Sequence, residues 1–196
     1  YFLKKGVDYV LTGGVVANVF LLAAGIDIGE PSNEFVQKNI PNYKNIIKRA
    51  KKIIDEYRER IVYPTDVAIN DNGQRVGITI DQLPTNHPIH DIGLDTLVKY
   101  INLIDNASTI IANGPMGVFE NHEFAIGTKE IFKSISNNSG MTVVGGGETA
   151  MAFNQMGLTE GIEHISTGGG SCIAFMADET MPALEAMRRS KIKFGK

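Results

Sequence analysis

Apolar positions along this chain follow two alternating rhythms. Short runs rich in Val, Ile and Thr stand at 7–11, 61–69, 75–80, 109–112, 141–144 and 164–167. Between them, segments at 15–24, from Asn42, at 95–105, 124–136, 149–156 and from Ser171 read as helices. The clearest follows Asn42, where Tyr43, Ile46, Ile47, Ala50, Ile53, Ile54 and Tyr57 recur three and four apart, the spacing of one helix face. Gly13-Gly14 ends the first strand run, and Gly25 stops the apolar helix behind it. Pro31 and Pro41 bracket a polar stretch. Pro64 interrupts the run at 61–69, so its first residues are expected outside the ladder. Asn72-Gly73 signals a tight turn into the alternating run at 75–80, and that pair is expected as a hairpin outside the parallel pattern. Asp95 is expected to cap the helix at 95–105.

A strand–helix–strand rhythm requires crossover connections, and these give parallel pairing. The expected fold is therefore α/β: a three-layer, Rossmann-like domain with a mainly parallel sheet, helices on both faces and a small β-hairpin addition. One domain accounts for residues 1–196. The first strand run begins close to the start of the sequence, as expected for a piece of something longer.

Charge narrows the function. The formal net charge is −3, and the basic run Lys44, Lys48, Arg49, Lys51, Lys52 is followed one turn later by Asp55, Glu56 and Glu59. That mixture reads as a solvated helix face, not a nucleic-acid patch. No apolar run approaches the roughly 20 residues of a membrane helix, so no membrane partner is expected. The single cysteine, Cys172, excludes an internal disulfide and fits a reducing, cytoplasmic setting. His87, His90, His122 and His164 are scattered, with no metal-ligand spacing among them.

Glycine placement carries more. Clusters at Gly13/Gly14, Gly114/Gly117, Gly145/Gly146/Gly147 and Gly168/Gly169/Gly170 each follow a strand run. Each alone could be a tight turn. Together they should face one edge of the sheet, outside the strand carboxyl ends where α/β proteins bind ligands. Helices starting at Glu148-Thr149 and Ser171 would add unpaired N–H groups and positive dipole ends suited to phosphate. A nucleotide lying across several strand ends is the expected ligand. No GxxxxGK[ST] occurs, and no GxGxxG follows the first strand, which disfavours a P-loop or dinucleotide site. Glu120, just past the stiff N-G-P-M-G-V-F corner, is a candidate acceptor for a ribose diol. Glu148, beside the triple glycine, is a candidate ligand for nucleotide-borne Mg²⁺.

The runs N-G-P-M-G-V-F-E at 113–120, G-G-G-E-T-A at 145–150, I-S-T-G-G-G at 165–170 and G-G-V-V-A-N at 13–18 resemble phosphoglycerate kinase. P-T-D-V at 64–67 and D-I-G at 91–93 match the same family in order, and the loop style resembles its archaeal members. The resemblance spans nearly the whole chain, but only the family's C-terminal, Mg-nucleotide domain. It implies a kinase that moves a phosphoryl group between 1,3-bisphosphoglycerate and ADP in glycolysis and gluconeogenesis, monomeric as the full enzyme. The N-terminal 3-phosphoglycerate domain, its catalytic arginine and a lysine-bearing G-A-K-V-x-D-K segment would lie outside this chain. The fragment alone is then expected to be inactive.

Carried onto this sequence, the resemblance places Gly13 and Gly14 beside adenine. It sets Asn113, Gly114, Pro115, Gly117 and Val118 along ribose and phosphates, with Glu120 on the ribose hydroxyls. It sets Gly145, Gly146, Gly147, Glu148 and Thr149 at the α/β-phosphates and Mg²⁺, and the N–H groups of Gly168, Gly169 and Gly170 at the transferring phosphoryl. The family most often has Asp at position 148; the longer Glu148 allows a water-bridged contact to the metal. The alternatives are another α/β nucleotide- or NAD-binding domain and a non-catalytic interaction module.

Overall fold

The structure is a computed structural model and describes residues 2–195. Strand β1 (Val10–Leu11) pairs in parallel with β2 (Ile61–Val62), with Val10 opposite Ile61. Between them run α1 (Gly14–Ala23), α2 (Glu30–Asn39) and α3 (Tyr43–Tyr57). The apolar seam expected on α3 is half-buried or buried, with Ala50 and Ile54 deepest, while Lys44, Lys48, Arg49, Lys51 and Lys52 stay exposed. Leu21, Ile28, Val36, Ile54 and Val67 form the core of this half.

The second half is built on β6 (Thr109–Asn113), β7 (Met141–Gly145) and β8 (His164–Ser166), three parallel strands in sequence order. Helices α4 (Leu94–Asp105), α5 (Ile126–Asn137) and α6 (Gly147–Gln155) contribute to a core of Tyr100, Ile131, Phe132, Val144 and Phe153. The Phe132 and Phe153 rings stack with centroids 4.0 Å apart. Tyr100 joins the halves: its hydroxyl lies 2.8 Å from both the Thr12 and Val62 carbonyl oxygens, just past β1 and at the end of β2. Helices α7 (Gly169–Met176) and α8 (Pro182–Phe194) follow β8 and bury none of their residues.

The α/β architecture, parallel pairing and helical cover match expectation. Several details differ, though the hairpin does not. The hairpin of β3 (Asp66–Asp71) and β4 (Gln74–Thr79) forms as predicted, turning through Asn72 and Gly73 at φ 52° and 94°. A further strand, β5 (Ile89–Ile92), joins it and makes a three-stranded antiparallel sheet in the order β4-β3-β5. The parallel strands form two ladders and not one, and Ile61 and Val62, expected outside the ladder, are the residues before Pro64 that pair with β1. The polar stretch after Pro31 is helical: Pro31 occupies the first turn, where its missing N–H costs nothing, and Ser32 and Val36 face inward.

Asp95 does not cap α4. That role belongs to Asp66, 29 residues earlier, whose Oδ2 accepts the Asp95 N–H at 3.0 Å and whose Oδ1 accepts the Thr96 N–H at 2.7 Å. The N-cap itself is Gly93, and a Cβ there would sit 2.1 Å from the Asp66 carboxylate. Asp66 is buried, so deleting its carboxylate loses a cap and strands buried donors. Asp66→Ala is expected to lower unfolding free energy in urea by about 2–4 kcal/mol. Asp95→Ala, at an exposed first-turn position, should cost less than about 1 kcal/mol in the same measurement.

Candidate functional site

The four glycine clusters do meet at one edge, and the N-G-P-M-G-V corner is the joint between them. Three of its backbone N–H groups are matched. Gly114 N donates to Thr149 Oγ1 at 2.8 Å, Met116 N to Thr128 Oγ1 at 3.0 Å and Val118 N to the His90 carbonyl at 2.8 Å. In return the Met116 carbonyl accepts the Gly14 N–H at 2.7 Å. The corner is thus tied to α6, α5, β5 and α1. Pro115 has no N–H to offer.

Its close approach to β5 explains one glycine. A Cβ on Gly117 would lie 2.2 Å from the His90 carbonyl oxygen and 2.7 Å from Asp91 Cα. Asp91 is buried, and its Oδ2 accepts the Gly127 N–H at 2.8 Å and an Arg75 N–H at 3.3 Å. Burial holds its carboxyl above the ordinary carboxylate range, against the opposing pull of Gly127 N–H and Arg75. The same Arg75 Nη2 donates to the Ile92 carbonyl at 2.8 Å.

Beside the corner lies a cavity of about 530 Å³, a volume within the usual span for small-molecule sites. Gly13, Gly14 and the stretch from Asn113 to Val118 line one side, and Val16, Phe20, Pro31, Phe35 and His90 another. Glu120 is exposed just beyond Val118, and among the described residues no hydrogen-bond or ion-pair partner reaches it. The triple glycines stand on the far side of Asn113, whose Nδ2 donates to the Gly145 carbonyl at 2.6 Å. There the clusters of β7 and β8 touch: a Cβ on Gly169 would be 2.9 Å from Gly146 Cα.

Helices α1, α6 and α7 start at this edge, with Gly13, Gly146 and Gly168 as N-caps and no side-chain cap on any of them. Helices α4 and α5 differ, since Asp66 and Asp91 reach in to their first turns. Glu148 is exposed in the first turn of α6, while Thr149 is buried and engaged with Gly114. No Lys or Arg falls within the four clusters. A second, open depression of about 500 Å³ lies at the opposite strand ends, lined by Gly140, Thr142, Glu160 and Glu163.

Sequence reasoning missed the α2 wall, Pro31 and Phe35, because α2 itself carried no clear apolar rhythm. It also left His90 among scattered histidines, although its position beside Asp91-Ile92-Gly93 was a usable signal. Cys172 is half-buried against Gly145, and His164 is an exposed strand residue.

Fold and site together define an α/β protein with an apolar cleft and uncapped helix N-termini along the carboxyl edge of its parallel strands. Residues 2–179 match the family described as phosphoglycerate kinase, and the chain belongs to that family. It is 44% identical over 194 residues to the phosphoglycerate kinase of Thermoplasma acidophilum, covering 98% of this chain and 47% of the relative. It is 47% identical over 190 residues to that of Methanothermus fervidus, covering 96% and 46%. The crystal structure of phosphoglycerate kinase from Pyrococcus horikoshii superposes with a TM-score of 0.86 at 43% identity, over 98% of this chain and 48% of that one. The chain therefore spans about half the length of the relatives it matches.

Gly117 and Gly170 separate packing from chemistry. Gly117→Ala, with backbone in the way, should destabilise the chain by about 2–4 kcal/mol in urea unfolding. Gly170 has nothing within 4 Å of an added Cβ. Gly170→Ala should therefore unfold within about 0.5 kcal/mol of the parent.

Proposed function

We propose that this chain is the Mg-nucleotide-binding half of a phosphoglycerate kinase. The missing half of the relatives' length would hold 3-phosphoglycerate, and the two together would pass a phosphoryl group between 1,3-bisphosphoglycerate and ADP. The observation that carries this is the alignment, along one sheet edge, of an apolar cavity, a rigid corner and three glycine-led helix N-termini. A base fits the apolar end between Gly13-Gly14 and Val118. The ribose then passes Glu120, whose carboxylate accepts from a diol, and the phosphates run toward Gly146, Gly147 and the start of α6. Gly168, Gly169 and Gly170 turn their N–H groups to the terminal phosphoryl.

Among the described residues no group of three His, Cys, Asp or Glu side chains could cage a metal. That fits Mg²⁺ arriving with the nucleotide, which needs only one or two carboxylates beside phosphate oxygens. Glu148 is the residue placed to hold it, directly or through water. Bound there, the ion would neutralise developing charge on the phosphates. The protein's own contribution is positioning and electrostatics: helix N–H groups aimed where charge accumulates, and a corner too stiff to rearrange. Since no cation stands within the clusters, the chain alone binds nucleotide without transferring phosphate.

Calorimetric titration tests this. Mg-ADP should bind the 196-residue chain saturably, and Glu120→Ala should weaken binding by roughly tenfold, the worth of about one charge-assisted hydrogen bond. A kinase assay on the same chain should show no turnover. Absence of binding would overturn the nucleotide reading, and sustained turnover would overturn the division of labour.

A further inference from the structure

The cavity wall beside the corner is mostly apolar, but six polar side chains also line it: Thr12, Asn18, Ser32, His90, Asp91 and Asn113. Five of them are already held by the protein. Thr12 Oγ1 donates to the Val62 carbonyl, Ser32 Oγ accepts the Ile89 N–H and Asn113 Nδ2 donates to the Gly145 carbonyl. His90 Nδ1 pairs with the Asn70 amide, and Asp91 accepts from Gly127 N–H and Arg75. Asn18 is the exception. It is only 5% exposed, yet among the described residues its side-chain amide has no hydrogen-bond partner. Both amide atoms keep a little accessible surface, because the one completely covered side-chain nitrogen or oxygen without a partner among those residues is Arg75 Nε. Side chains of a helix lean toward its N-terminus, so Asn18 lies over the turn of Gly14 and Val15. Gly14 has no side chain to fill that space, and its N–H is bonded to Met116 of the corner. Gly14, Val15 and Ala17 line the same cavity. The open atoms of Asn18 therefore face the cavity where the start of α1 meets the corner. An amide this covered, with neither donor nor acceptor met, is unfavourable until a polar partner enters.

We propose that Asn18 is a specificity-determining residue of the cleft: its Oδ1 accepts from the 6-amino group of a bound adenine and its Nδ2 donates to the ring nitrogen beside that group. The inference rests on the nucleotide reading above. An asparagine amide carries an acceptor and a donor side by side, and a 6-aminopurine edge carries the complementary pair. The position agrees with a base lying between Gly13-Gly14 and Val118, since Asn18 stands one turn into the helix that Gly14 begins. A site built to hydrogen-bond a ligand group rejects the analogue that lacks it, because the buried partner is then left unpaired.

The test compares Mg-ADP with the Mg-diphosphate of purine riboside, which lacks only the 6-amino group. Both are titrated into the parent chain and into Asn18→Leu, with thermal unfolding of each protein. Leucine keeps the bulk of asparagine and offers neither donor nor acceptor. The parent should bind the analogue about three- to tenfold more weakly than ADP, the worth of one neutral hydrogen bond. Asn18→Leu should bind ADP weaker by about threefold or more, and should hold the two ligands within about twofold of each other. In the parent, the side-chain amide proton signals of Asn18 should shift saturably with Mg-ADP. Equal affinity of the parent for both ligands, or Asn18 amide signals that stay still, would overturn the proposal without recourse to a variant. So would parent-like ADP binding or an undiminished preference for ADP in Asn18→Leu. A parent that binds neither ligand would instead overturn the nucleotide reading, and this inference with it.

Discussion

The buried ion pair of Asp91 with Arg75 is the constraint on which the site depends. Asp91 sits at the centre of three elements: it lies on β5, receives Arg75 from β4 and holds the first turn of α5 through Gly127 N–H. Gly117 of the corner rests directly on its backbone. A carboxylate this deep is unfavourable by itself, and it persists because donors converge on it. Removing it would leave a guanidinium, only 11% exposed, without its partner. It would also loosen the element against which the corner is pressed. The antiparallel sheet, which from sequence reads as a decoration, is thereby the buttress of the ligand edge.

A similar division of labour runs through the molecule. At α4 and α5 a buried aspartate from a distant strand fills the helix N-terminus, Asp66 in the first and Asp91 in the second. Where α1, α6 and α7 start along the edge, glycine stands at the cap and no side chain fills the turn. Open turns of this kind provide positive potential in a site whose clusters contain no lysine or arginine. The proposed chemistry then asks only that the nucleotide be held in line and its charge met. A reacting partner and further cations would come from outside this chain.

Much of this was legible in the sequence. The α/β rhythm, the Asn72-Gly73 hairpin, the amphipathic α3 and the alignment of glycine clusters all follow from local pattern, and local pattern is what a sequence displays. What was hidden arises between distant positions. Asp66 caps a helix that begins 28 residues later at Leu94, so the nearer Asp95 looked the better candidate. The α2 helix buries mainly Ser32 and Val36, too few apolar positions to reveal a period. Strand β5 is four residues long and contains His90 and Asp91, polar residues that mask it as loop. The corner's rigidity was expected from its proline and glycines, but it comes equally from hydroxyls of Thr128 and Thr149 that nothing in their own neighbourhood singles out.

On the function proposed above, one edge of the molecule, from Gly13 across the corner to Gly170, would act as a single nucleotide surface. Backbone amide NMR during titration with Mg-ADP tests it most directly. Saturable shifts are expected at Gly13, Gly14, Gly114, Gly117, Val118, Gly146, Gly147 and Gly168, sharing one dissociation constant. Gly140, Gly161 and Glu163, at the opposite strand ends, should stay still. Shifts concentrated at that opposite end, or separate dissociation constants for the corner and the triple glycines, would contradict it.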